Sequence, residues 1–469
     1  MAINATCVWE VRDDGADTNG GGYDSAVSGA GTDYSQQAAA QLALTDVVAN
    51  GTTTLTSATG GFTSAMIGNA IYLQGGTGAL AATWRMVTGR TDTNTITVDA
   101  TVAAGTGITG NLGGALGTVA QAVNPGHSPA CPSVAGNTVY VNYRTGTAHT
   151  IGESLAMTRG GDTTTGREFS LIGYDGTAGT RNRYSRPTNR PTLKRTVAAG
   201  MITSIAHGTY VRGFIFDLDS GDYSVSSANT NSGLMEYCKA INSGTSATIF
   251  ASGFNTGFAF TEVEATVASG STSWAFFQAF CTGCKVNLAG TTGTGFASCW
   301  ATNCIVSGGG TGSTSVGFSQ TTLGACWRCV AYNVATGFVG ANTFRPSQSV
   351  SCIASTCATG FSGNNTAGSY SHWCRGCATY NCTASSANLN QSVQYTGAGV
   401  GNTVITVLSA DPFTNAASGD FSLNNTAGGG AAARATGWYP VAGLSTVGYP
   451  DMGAFQHQGS ASGGGARFF

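Results

Sequence analysis

The stretch Cys326-Trp-Arg-Cys-Val-Ala-Tyr-Asn-Val-Ala-Thr-Gly-Phe338 decides the fold, because both of its halves return along the chain. The phrase Cys329-Val-Ala-Tyr-Asn333 has counterparts that begin at positions 238, 262, 284, 304, 352 and 377, at intervals of 20 to 25 residues. The dipeptide Gly337-Phe338 has counterparts at Gly295-Phe296, Gly317-Phe318 and Gly360-Phe361. A period in the low twenties, with small and β-branched residues between Gly, Ser, Thr and Asn, is typical of a solenoid.

Two other repeat architectures do not fit this pattern. A helical repeat is excluded by the glycine content, since each glycine inside a helix costs about 1 kcal/mol. A leucine-rich repeat needs a regular leucine ladder, and the stretch has almost no leucine. The sequence therefore predicts a parallel β-helix in which the same residue type falls at the same point of successive coils, so that cysteine and alanine stack inward in ladders.

Composition narrows the function classes. The chain has 469 residues, of which only 9% are charged and 41% are hydrophobic, so it can bury a core. The net charge of −2 indicates neither a nucleic acid nor an anionic membrane as partner. The sequence contains no run of 18 apolar residues, so it predicts no membrane span. The first residues lack the pattern of a signal peptide, and we therefore expect synthesis in a cytoplasm.

The 14 cysteines have three interpretations. Stacked thiols in the core fit a reducing compartment, disulfides would fit a secreted chain, and zinc would fit the pairs Cys281/Cys284, Cys326/Cys329 and Cys374/Cys377. Successive pairs of that set lie two coils apart, which favours the core interpretation. Residues i and i+3 on one straight strand face opposite ways, so each pair is expected to straddle a corner. We expect no cofactor and no metal.

The chain before the repeat divides into two predicted parts. Residues 1–35 are polar and rich in glycine, with Trp9 as the one large apolar anchor, and we expect an extended anchoring segment. Within residues 36–110, period-two alternation predicts a small antiparallel β subdomain, although residues 36–44 fit either a short helix or a strand. Its expected role is contact with a neighbour or shielding of the first coil.

Two motifs of this region carry a resemblance. Trp9-Glu-Val-Arg12, followed by Asp17-Thr-Asn-Gly-Gly-Gly22, resembles the opening of a group of β-helix proteins of tailed bacteriophages. The helix candidate Gly113–Val123 and the strand candidate Ala135–Asn142 resemble the start of pectate-lyase-type right-handed β-helices, where the helix caps the core. The resemblance implies an all-β, right-handed parallel β-helix over residues 111–408.

The C-terminal part resembles the closing segment of many such proteins. Asp411-Pro-Phe413, Gly419-Asp-Phe-Ser-Leu423 and Gly448-Tyr-Pro-Asp-Met-Gly-Ala-Phe455 occur in the usual order, but Ala427–Arg434 replaces an element that normally carries an aspartate. We therefore expect a closing segment with a Gly-rich tail over residues 409–469. The tail ends in Phe468-Phe469, which we expect to dock on another chain.

Six basic residues lie close together in the predicted loop 177–195. They could hold an acidic partner surface, or they could pair locally in a solvated loop. Together with the chain ends they make up the expected interface residues, which are Trp9, Arg12, Arg181, Arg183, Arg186, Arg190, Phe468 and Phe469.

Catalytic candidates are few. From Ala265 to Ala410 the sequence contains no Asp or Glu, which removes the paired carboxylates of glycosidases and the ligands of calcium from most of the repeat. Earlier coils offer Asp217 with Asp219 and Glu262 with Glu264, whose spacing of two predicts a shared strand face. Asp222 and Glu236 are the other acidic candidates, and these side chains form either a catalytic pair or solvent-facing charges that keep the solenoid soluble. None of the five histidines has a catalytic or metal-ligand spacing.

Two functions stay open at this point. The first is a structural, non-enzymatic virion protein of a tailed bacteriophage, made in the host cytoplasm and placed on the capsid exterior as a decoration or cement protein, with itself as a homotrimer and the major capsid protein or another virion protein as partners. The alternative is a tailspike or tail fibre that binds or cleaves a bacterial surface glycan, with stacking platforms at Trp274, Trp300, Trp327, Tyr332 and Trp373.

Overall fold

The chain forms two compact units with a β-solenoid built from stacked parallel strands. The first unit is Met1–Asp217 with Asn231–Cys238, and the second is Leu218–Thr230 with Lys239–Phe469. The expected all-β parallel solenoid is confirmed. This computed structural model describes residues 7–124, 127, 136–143, 146–157, 169–176, 181–182, 186–196, 200–205, 208–219, 224–225, 233–241, 243, 248–251, 258–268, 274–290, 292–320, 324–340, 347–363, 372–387, 389, 405–434 and 452–454.

The N-terminal strand β1 (Val8–Val11) belongs to the parallel sheet of the first unit. It pairs in parallel with residues 138–141. The chain therefore forms one strand of the solenoid first, and the barrel described below follows in sequence. Strand β2 (Gly22–Tyr23) runs antiparallel to β1 at the edge of this sheet. The segment predicted to be an extended anchor therefore contributes a paired strand, because the alternating apolar side chains of β1 fill the core.

The predicted antiparallel subdomain is a closed six-stranded barrel. Closing the sheet removes unpaired edges, which would otherwise template aggregation. Its interior includes the fully buried Val47, Leu55, Ile71 and Ile96. The barrel order is β3-β4-β7-β6-β5-β8, with a 3-10 turn at Ser64–Met66 and strands β3 (Leu42–Ala49), β4 (Thr54–Thr56), β5 (Ala70–Gly75), β6 (Leu80–Asp92), β7 (Thr95–Val98) and β8 (Gly105–Leu112).

Helix α1 (Val119–Val123) leads back to the solenoid of the first unit and is capped by Thr118, whose hydroxyl accepts a hydrogen bond from the Gln121 amide. The strands that follow are β9 (Thr138–Tyr143), β10 (His149–Ile151), β11 (Leu155–Met157), β12 (Phe169–Asp175), β13 (Thr192–Arg195), β14 (Ile202–Ile205), β15 (Thr209–Arg212), β16 (Ile215–Asp217) and β17 (Gly233–Glu236). Within this unit they pair in the orders β2-β1-β9-β12-β15-β17, β10-β13-β16 and β11-β14.

One local prediction in this unit needs correction. The basic stretch 177–195 does not end as a loop, since β13 forms its last residues and Arg195 is fully buried. Further along, β15 and β16 are separate strands, because Gly213 adopts a φ of +79° and turns the chain between them.

In the second unit each coil adds one strand to each of three parallel sheets. Sheet A consists of β20 (Phe258–Thr261), β23 (Phe280–Thr282), β26 (Trp300–Thr302), β29 (Ala325–Trp327), β32 (Ser347–Val350) and β35 (His372–Arg375). Sheet B consists of β18 (Lys239–Ile241), β21 (Glu264–Val267), β24 (Lys285–Leu288), β27 (Ile305–Gly308), β30 (Val330–Tyr332), β33 (Ile353–Ser355), β36 (Cys377–Tyr380) and β38 (Ile405–Val407). Sheet C consists of β19 (Phe250–Ala251), β22 (Trp274–Phe277), β25 (Thr294–Ala297), β28 (Val316–Gln320), β31 (Thr336–Gly340), β34 (Thr359–Gly363) and β37 (Ala384–Ala387).

The described part of the C-terminal segment lies against sheet B of the same unit. It contains β39 (Phe413–Asn415), a 3-10 turn (Ala416–Ser418), β40 (Asp420–Leu423) and helix α2 (Gly430–Ala433). Phe413 and Phe421 of this hairpin pack with Val330 and Ile353 in one apolar cluster. The hairpin thus keeps an apolar column of sheet B away from water.

The corner between sheets A and B is made by one residue per coil in the left-handed conformation. Six such residues have φ values between 51° and 64°, and they are Glu262, Gly283, Asn303, Arg328, Ser351 and Gly376. Each non-glycine residue pays roughly 1 kcal/mol or more for this conformation. The bend lets the chain change sheet in a single step, and it directs the following side chain, usually cysteine, into the core.

The Gly-Phe dipeptides build the centre of the second unit. Their phenylalanines stack at ring-centroid distances of 4.8 to 4.9 Å with planes within 9° of parallel. The same stack extends back through Phe276 and Phe250 at 4.9 and 5.0 Å. This spacing equals the strand spacing of a parallel sheet, so each coil places one ring directly on the preceding ring.

Glycine precedes these rings because the backbones approach too closely for a Cβ. A Cβ at Gly337 would lie 2.6 Å from the carbonyl oxygen of Gly360 and 3.0 Å from the Ala354 Cβ. Gly317 meets the Gly337 carbonyl oxygen in the same way, at 2.5 Å. Glycine at this register is therefore a packing requirement, independent of φ.

Replacing Gly337 by alanine is expected to lower the free energy of unfolding by about 2 kcal/mol, because the added methyl group must displace backbone atoms of the next coil. The measurement is denaturant unfolding followed by circular dichroism. Gly312→Ala is the matched control, since an added Cβ there meets no atom within 4 Å. Equal stability of the two variants would contradict the packing requirement.

Candidate functional site

Most of the described cysteines lie in two inward columns, one on sheet A and one at the corner between sheets A and B, whereas Cys7, Cys299, Cys357 and Cys382 lie elsewhere. All 13 described cysteines are free thiols, and 12 of them are buried. The Cys-x-x-Cys pairs straddle the corner between sheets A and B, as predicted; Cys326 lies on β29, Arg328 makes the bend and Cys329 precedes β30. One column, in register on sheet A, is Cys281, Ala301, Cys326, Ser349 and Cys374.

The thiols that follow the bend satisfy backbone carbonyl groups. Cys329 Sγ donates toward the carbonyl oxygens of Trp327 and of Ala301 in the preceding coil, both at 3.4 Å. Cys304 and Cys352 make equivalent pairs of contacts at 3.3 to 3.5 Å. Cysteine suits this position because it fills the space of a small apolar side chain and still carries a weak donor.

Burial raises the pKa of Cys304 and Cys352 well above the usual value and that of Cys238 to about 12, so the reactive thiolate is disfavoured at these three positions. Burial also raises the pKa of Cys329, but hydrogen bonding with the neighbouring thiols of Cys304, Cys326 and Cys352 outweighs it and lowers this pKa below its usual value. Among the residues that the structure describes, no group of three or more His, Cys, Asp or Glu side chains is placed to hold a metal ion. The geometry therefore assigns the described cysteines a role in packing.

The carboxylate pairs predicted from spacing do not share a strand face. Asp217 is the last residue of β16, whereas Asp219 follows it with a φ of +51°. Glu262 likewise makes a left-handed bend at a φ of +51°, and Glu264 begins β21 after it. The expectation of a shared strand face is wrong in both cases, because a left-handed bend breaks the alternation on which it rested.

Other acidic candidates are engaged with cations. Glu264 lies 3.7 Å from Lys239 and is in register with Lys285 on the next strand of sheet B. In the first unit, Glu236 accepts hydrogen bonds from Arg212 at 2.7 Å and from the Tyr210 hydroxyl at 2.5 Å. Asp222 lies outside the described residues.

Arg181, which was predicted to face a partner, instead forms ion pairs and hydrogen bonds within the first unit. Its guanidinium donates to Glu10 at 2.7 and 2.8 Å, to Asp33 at 2.9 Å and to the Ser35 hydroxyl at 3.0 Å. Tyr174 donates its hydroxyl proton to the other oxygen of Glu10. Burial raises the pKa of Glu10 to about 7, although Arg181 opposes this shift. These five residues, here called the latch, join β1, residues 33–35, β12 and residue 181.

The other expected interface residues have different positions. Trp9 is 2% exposed and packs within its own chain, so its ring presents no free face to a partner. Arg12 pairs with Asp14 at 2.8 Å. The guanidinium of Arg186 lies 5.7 Å from the Tyr237 ring and that of Arg190 lies 4.8 Å from it, which fits the local-pairing interpretation. Arg183, Phe468 and Phe469 lie outside the described residues.

His372 is buried in the second unit. Its Nε2 lies 2.9 Å from the Ser349 hydroxyl and its Nδ1 lies 3.0 Å from the Ser362 carbonyl oxygen. Although a serine next to a histidine resembles part of a nucleophilic site, Ser349 is fully buried, so a substrate has no access to it. Burial lowers the pKa of His372 below 6.5.

This lowered pKa predicts a loss of stability in acid. Below about pH 6.5 the unfolded chain binds a proton at His372 before the folded chain does, so the free energy of unfolding falls as the pH decreases. We expect the thermal midpoint of His372→Gln to fall less than that of the wild type between about pH 7 and about pH 5. Parallel curves for the two proteins would contradict the assignment.

The five predicted stacking platforms do not form one site. Trp274 lies on sheet C and stacks on Phe277 at 4.4 Å. Tyr332 lies on sheet B and packs edge-on against Phe421 of the C-terminal hairpin at 5.6 Å. Trp300, Trp327 and Trp373 all lie on sheet A. Arg375 extends over the Trp373 ring at 5.5 Å.

Phe280, Trp300 and Trp327 form a continuous aromatic row on the outer side of sheet A. Phe280 stacks with Trp300 at 6.3 Å and Trp300 stacks with Trp327 at 5.5 Å. Phe280 and Trp300 are 38% and 39% exposed, unusually high for such large apolar side chains. Phe280 was missed by sequence reasoning, although Phe280-Cys-Thr and Trp300-Ala-Thr occupy the same register.

A threonine column borders the aromatic row. Thr261, Thr282 and Thr302 are in register on successive strands of sheet A, and all three side chains are partly exposed. The face therefore combines the exposed edges of stacked aromatic rings with a line of hydroxyl groups, and it is the candidate functional site of the second unit.

The fold and this site define a β-solenoid with an exposed aromatic face. Comparison of the chain with protein-family models, with curated proteins and with solved structures gave no match. Within the described residues, no helix is both long enough and apolar enough to cross a bilayer.

Proposed function

We propose that the chain is a structural virion protein of a tailed bacteriophage, a decoration or cement protein of the capsid exterior that acts by protein–protein packing. In this proposal the solenoid is a right-handed β-helix, the N-terminal barrel is the attachment subdomain and the C-terminal hairpin belongs to the closing segment. The functional unit is a homotrimer bound to the major capsid protein or another virion protein.

One observation carries this proposal. The second unit is a stack of coils whose interior is filled by phenylalanine and cysteine columns, and its sequence has no Asp or Glu from Ala265 to Ala410. Such a body is stiff, because every coil repeats the same packing, and it is poor in groups that perform acid–base chemistry. These properties suit a protein whose function is to occupy and brace a surface.

The motifs near the N-terminus give a second line of support. The phrase Trp9-Glu-Val-Arg12, which resembles the opening of phage β-helix proteins, forms strand β1 and continues into Arg12. Because Trp9 is buried and anchors this strand in the core, the motif has a structural role in the first coil. The barrel that follows is the proposed attachment subdomain.

Counting copies in purified virions tests the proposed location. Quantitative mass spectrometry against the major capsid protein should give hundreds of copies per particle for a decoration protein. A few dozen copies or fewer would indicate a tail appendage and overturn the capsid assignment.

Enzymatic activity is tested separately. We expect the purified protein to release no reducing ends from surface polysaccharides of the host. Release that is lost in Asp217→Ala or Glu262→Ala would establish an enzyme and overturn the structural proposal.

A further inference from the structure

We propose that Cys357 and Cys382 form a reversible disulfide when the protein meets a peroxide, with Cys382 as the thiol that is oxidised first and Cys357 as the thiol that closes the bond. This inference assigns a modification site to one corner of the second unit, and it does not depend on the function proposed above. It gives these two cysteines a role beyond packing.

The two cysteines occupy the same point of successive coils. Each follows a left-handed residue at the corner between sheets B and C, namely Thr356 with a φ of +54° and Asn381 with a φ of +50°. The Thr383 amide donates to the Cys357 carbonyl oxygen at 3.1 Å, which fixes Cys382 beside Cys357. Neighbouring strands of a sheet stand about 4.8 Å apart, and a disulfide joins Cα atoms that are about 4.4 to 6.8 Å apart. The register therefore places the pair within reach of a bond.

The two side chains have equivalent surroundings and contact each other. Cys357 Sγ lies 3.4 Å from the Ser355 carbonyl oxygen, and Cys382 Sγ lies 3.5 Å from the carbonyl oxygen of Tyr380, the residue in register with Ser355. A hydrogen bond between the two thiols lowers the pKa of Cys382 to about 7 and raises the pKa of Cys357. Cys382 is therefore the thiol that ionises near neutral pH, and the thiolate is the form that attacks an oxidant.

Solvent access distinguishes this pair from the other stacked thiols. Among the 13 described cysteines only Cys382 is partly exposed, and its neighbours Asn381 and Thr383 are exposed. Strand β37, which begins two residues after Cys382, is the end strand of sheet C in the described part of the chain. The corner between sheets A and B stacks thiols in the same way but buries them completely, as at Cys304, Cys329, Cys352 and Cys377. A peroxide can therefore reach Cys382 and not this buried column.

The oxidation consumes one molecule of hydrogen peroxide. The Cys382 thiolate attacks one peroxide oxygen, the O–O bond breaks, and the departing hydroxide takes up a proton to become water, which leaves a sulfenic acid on Cys382. The Cys357 sulfur then attacks the sulfenic sulfur and loses its proton, and the S–O bond breaks to release a second water. In total, the two thiols lose two electrons and two protons, and one S–S bond forms. A dithiol reductant reverses the step by thiol–disulfide exchange.

The bond ties the end strand of sheet C to the coil before it. Strand β37 pairs with β34, and the Ala384 amide donates to the Ala358 carbonyl oxygen at 2.8 Å. A covalent link beside this pairing restricts local opening of the last coil. We expect hydrogen exchange of the Ala384 amide to be about 10-fold slower, or more, in the oxidised protein than in the reduced protein. Equal exchange in the two forms would contradict a bond between these coils.

Mapping of the disulfide tests the proposal directly. The full-length protein is treated near neutral pH with a small excess of hydrogen peroxide, the remaining thiols are alkylated, and the unreduced protein is digested with chymotrypsin. This protease cleaves after Tyr380 and so separates Cys382 from Cys377. Mass spectrometry should show the Cys382 peptide linked to the Cys357 peptide, and dithiothreitol should release the two. Lack of oxidation at Cys382, or a link from Cys382 to any other cysteine, would overturn the proposal.

Three variants assign the roles within the pair. In Cys357→Ser the oxidised Cys382 should persist as a sulfenic acid that dimedone labels, because no thiol closes the bond. In Cys382→Ser the buried Cys357 should stay reduced and unlabelled. Cys352→Ser is the matched control, since Cys352 follows the equivalent bend in the buried column, and it should form the link within about 2-fold of the wild-type rate. Equal dimedone labelling of Cys357 and Cys382 would show that access does not select the site. The wild-type disulfide map decides the proposal by itself where a variant does not fold.

Discussion

Replacing Phe338 by alanine is expected to lower the free energy of unfolding of the second unit by about 3 to 5 kcal/mol. Phe338 lies between Phe318 and Phe361 in the ring stack, at centroid distances of 4.8 and 4.9 Å, and it is 1% exposed. Its removal leaves a cavity bordered by two rings that the backbone holds apart, so the neighbours cannot close the gap. Denaturant unfolding monitored by circular dichroism measures the loss.

Two further variants make this expectation specific. Phe280→Ala removes the same side chain from the exposed outer side of sheet A and should cost no more than about 1 kcal/mol. Phe338→Leu keeps part of the volume and should fall between the two. If Phe338→Ala were as stable as Phe280→Ala, the ring stack would not be the core of this unit.

The solenoid could be predicted from the repeat because packing restricts which residue types can occupy the inward positions of each coil. Cysteine and Gly-Phe recur at fixed points of each coil, and the structure places them in columns at those points. The corner conformation was not predictable in the same way. Glu262, Asn303, Arg328 and Ser351 share a positive φ but no residue type, since the conformation is imposed by the change of sheet.

Long-range pairing explains the other differences between prediction and structure. Val8 pairs with Thr138, and no local sequence pattern predicts a partner so distant in the chain. The contact of the C-terminal hairpin with Val330 and Ile353 is also long-range. Neither apolar segment alone indicates that the two pack against each other. Residues 1–35 consequently looked like a loose anchor, although β1 is part of the core.

The candidate site was predictable only in part. Trp300 and Trp327 are easily noticed in the sequence. That they lie on the same outer face as Phe280 follows only from the register of sheet A, which the sequence does not give. The carboxylate pairs failed for a related reason, since spacing of two predicts a shared face only on a straight strand. Bends therefore decide which sequence neighbours remain neighbours on the surface.

Replacing Arg181 by methionine is expected to destabilise the first unit by about 3 kcal/mol near neutral pH, because it removes one partner from a buried charge network. Glu10 is fully buried, and without Arg181 it retains only the Tyr174 hydroxyl as a partner within the latch. Hydrogen exchange of the β1 amides, together with denaturant unfolding, measures the effect. Arg190→Met is the matched control, since Arg190 contacts only the ring and the carbonyl oxygen of Tyr237 among its described contacts, and it should cost about 1 kcal/mol.

The pH dependence of the Arg181→Met effect identifies its cause. Burial raises the folded-state pKa of Glu10 above its usual 4.5, to about 7 in the intact latch, and loss of the Arg181 charge raises it further. A group with a raised folded-state pKa contributes its full stability below the unfolded pKa and loses it as the pH rises through the folded pKa. The destabilisation by Arg181→Met should therefore be small near pH 5 and largest near pH 8. A loss that is equal at both pH values would mean that Arg181 acts through packing of its side chain, and the assignment of the latch as a charge network would be wrong.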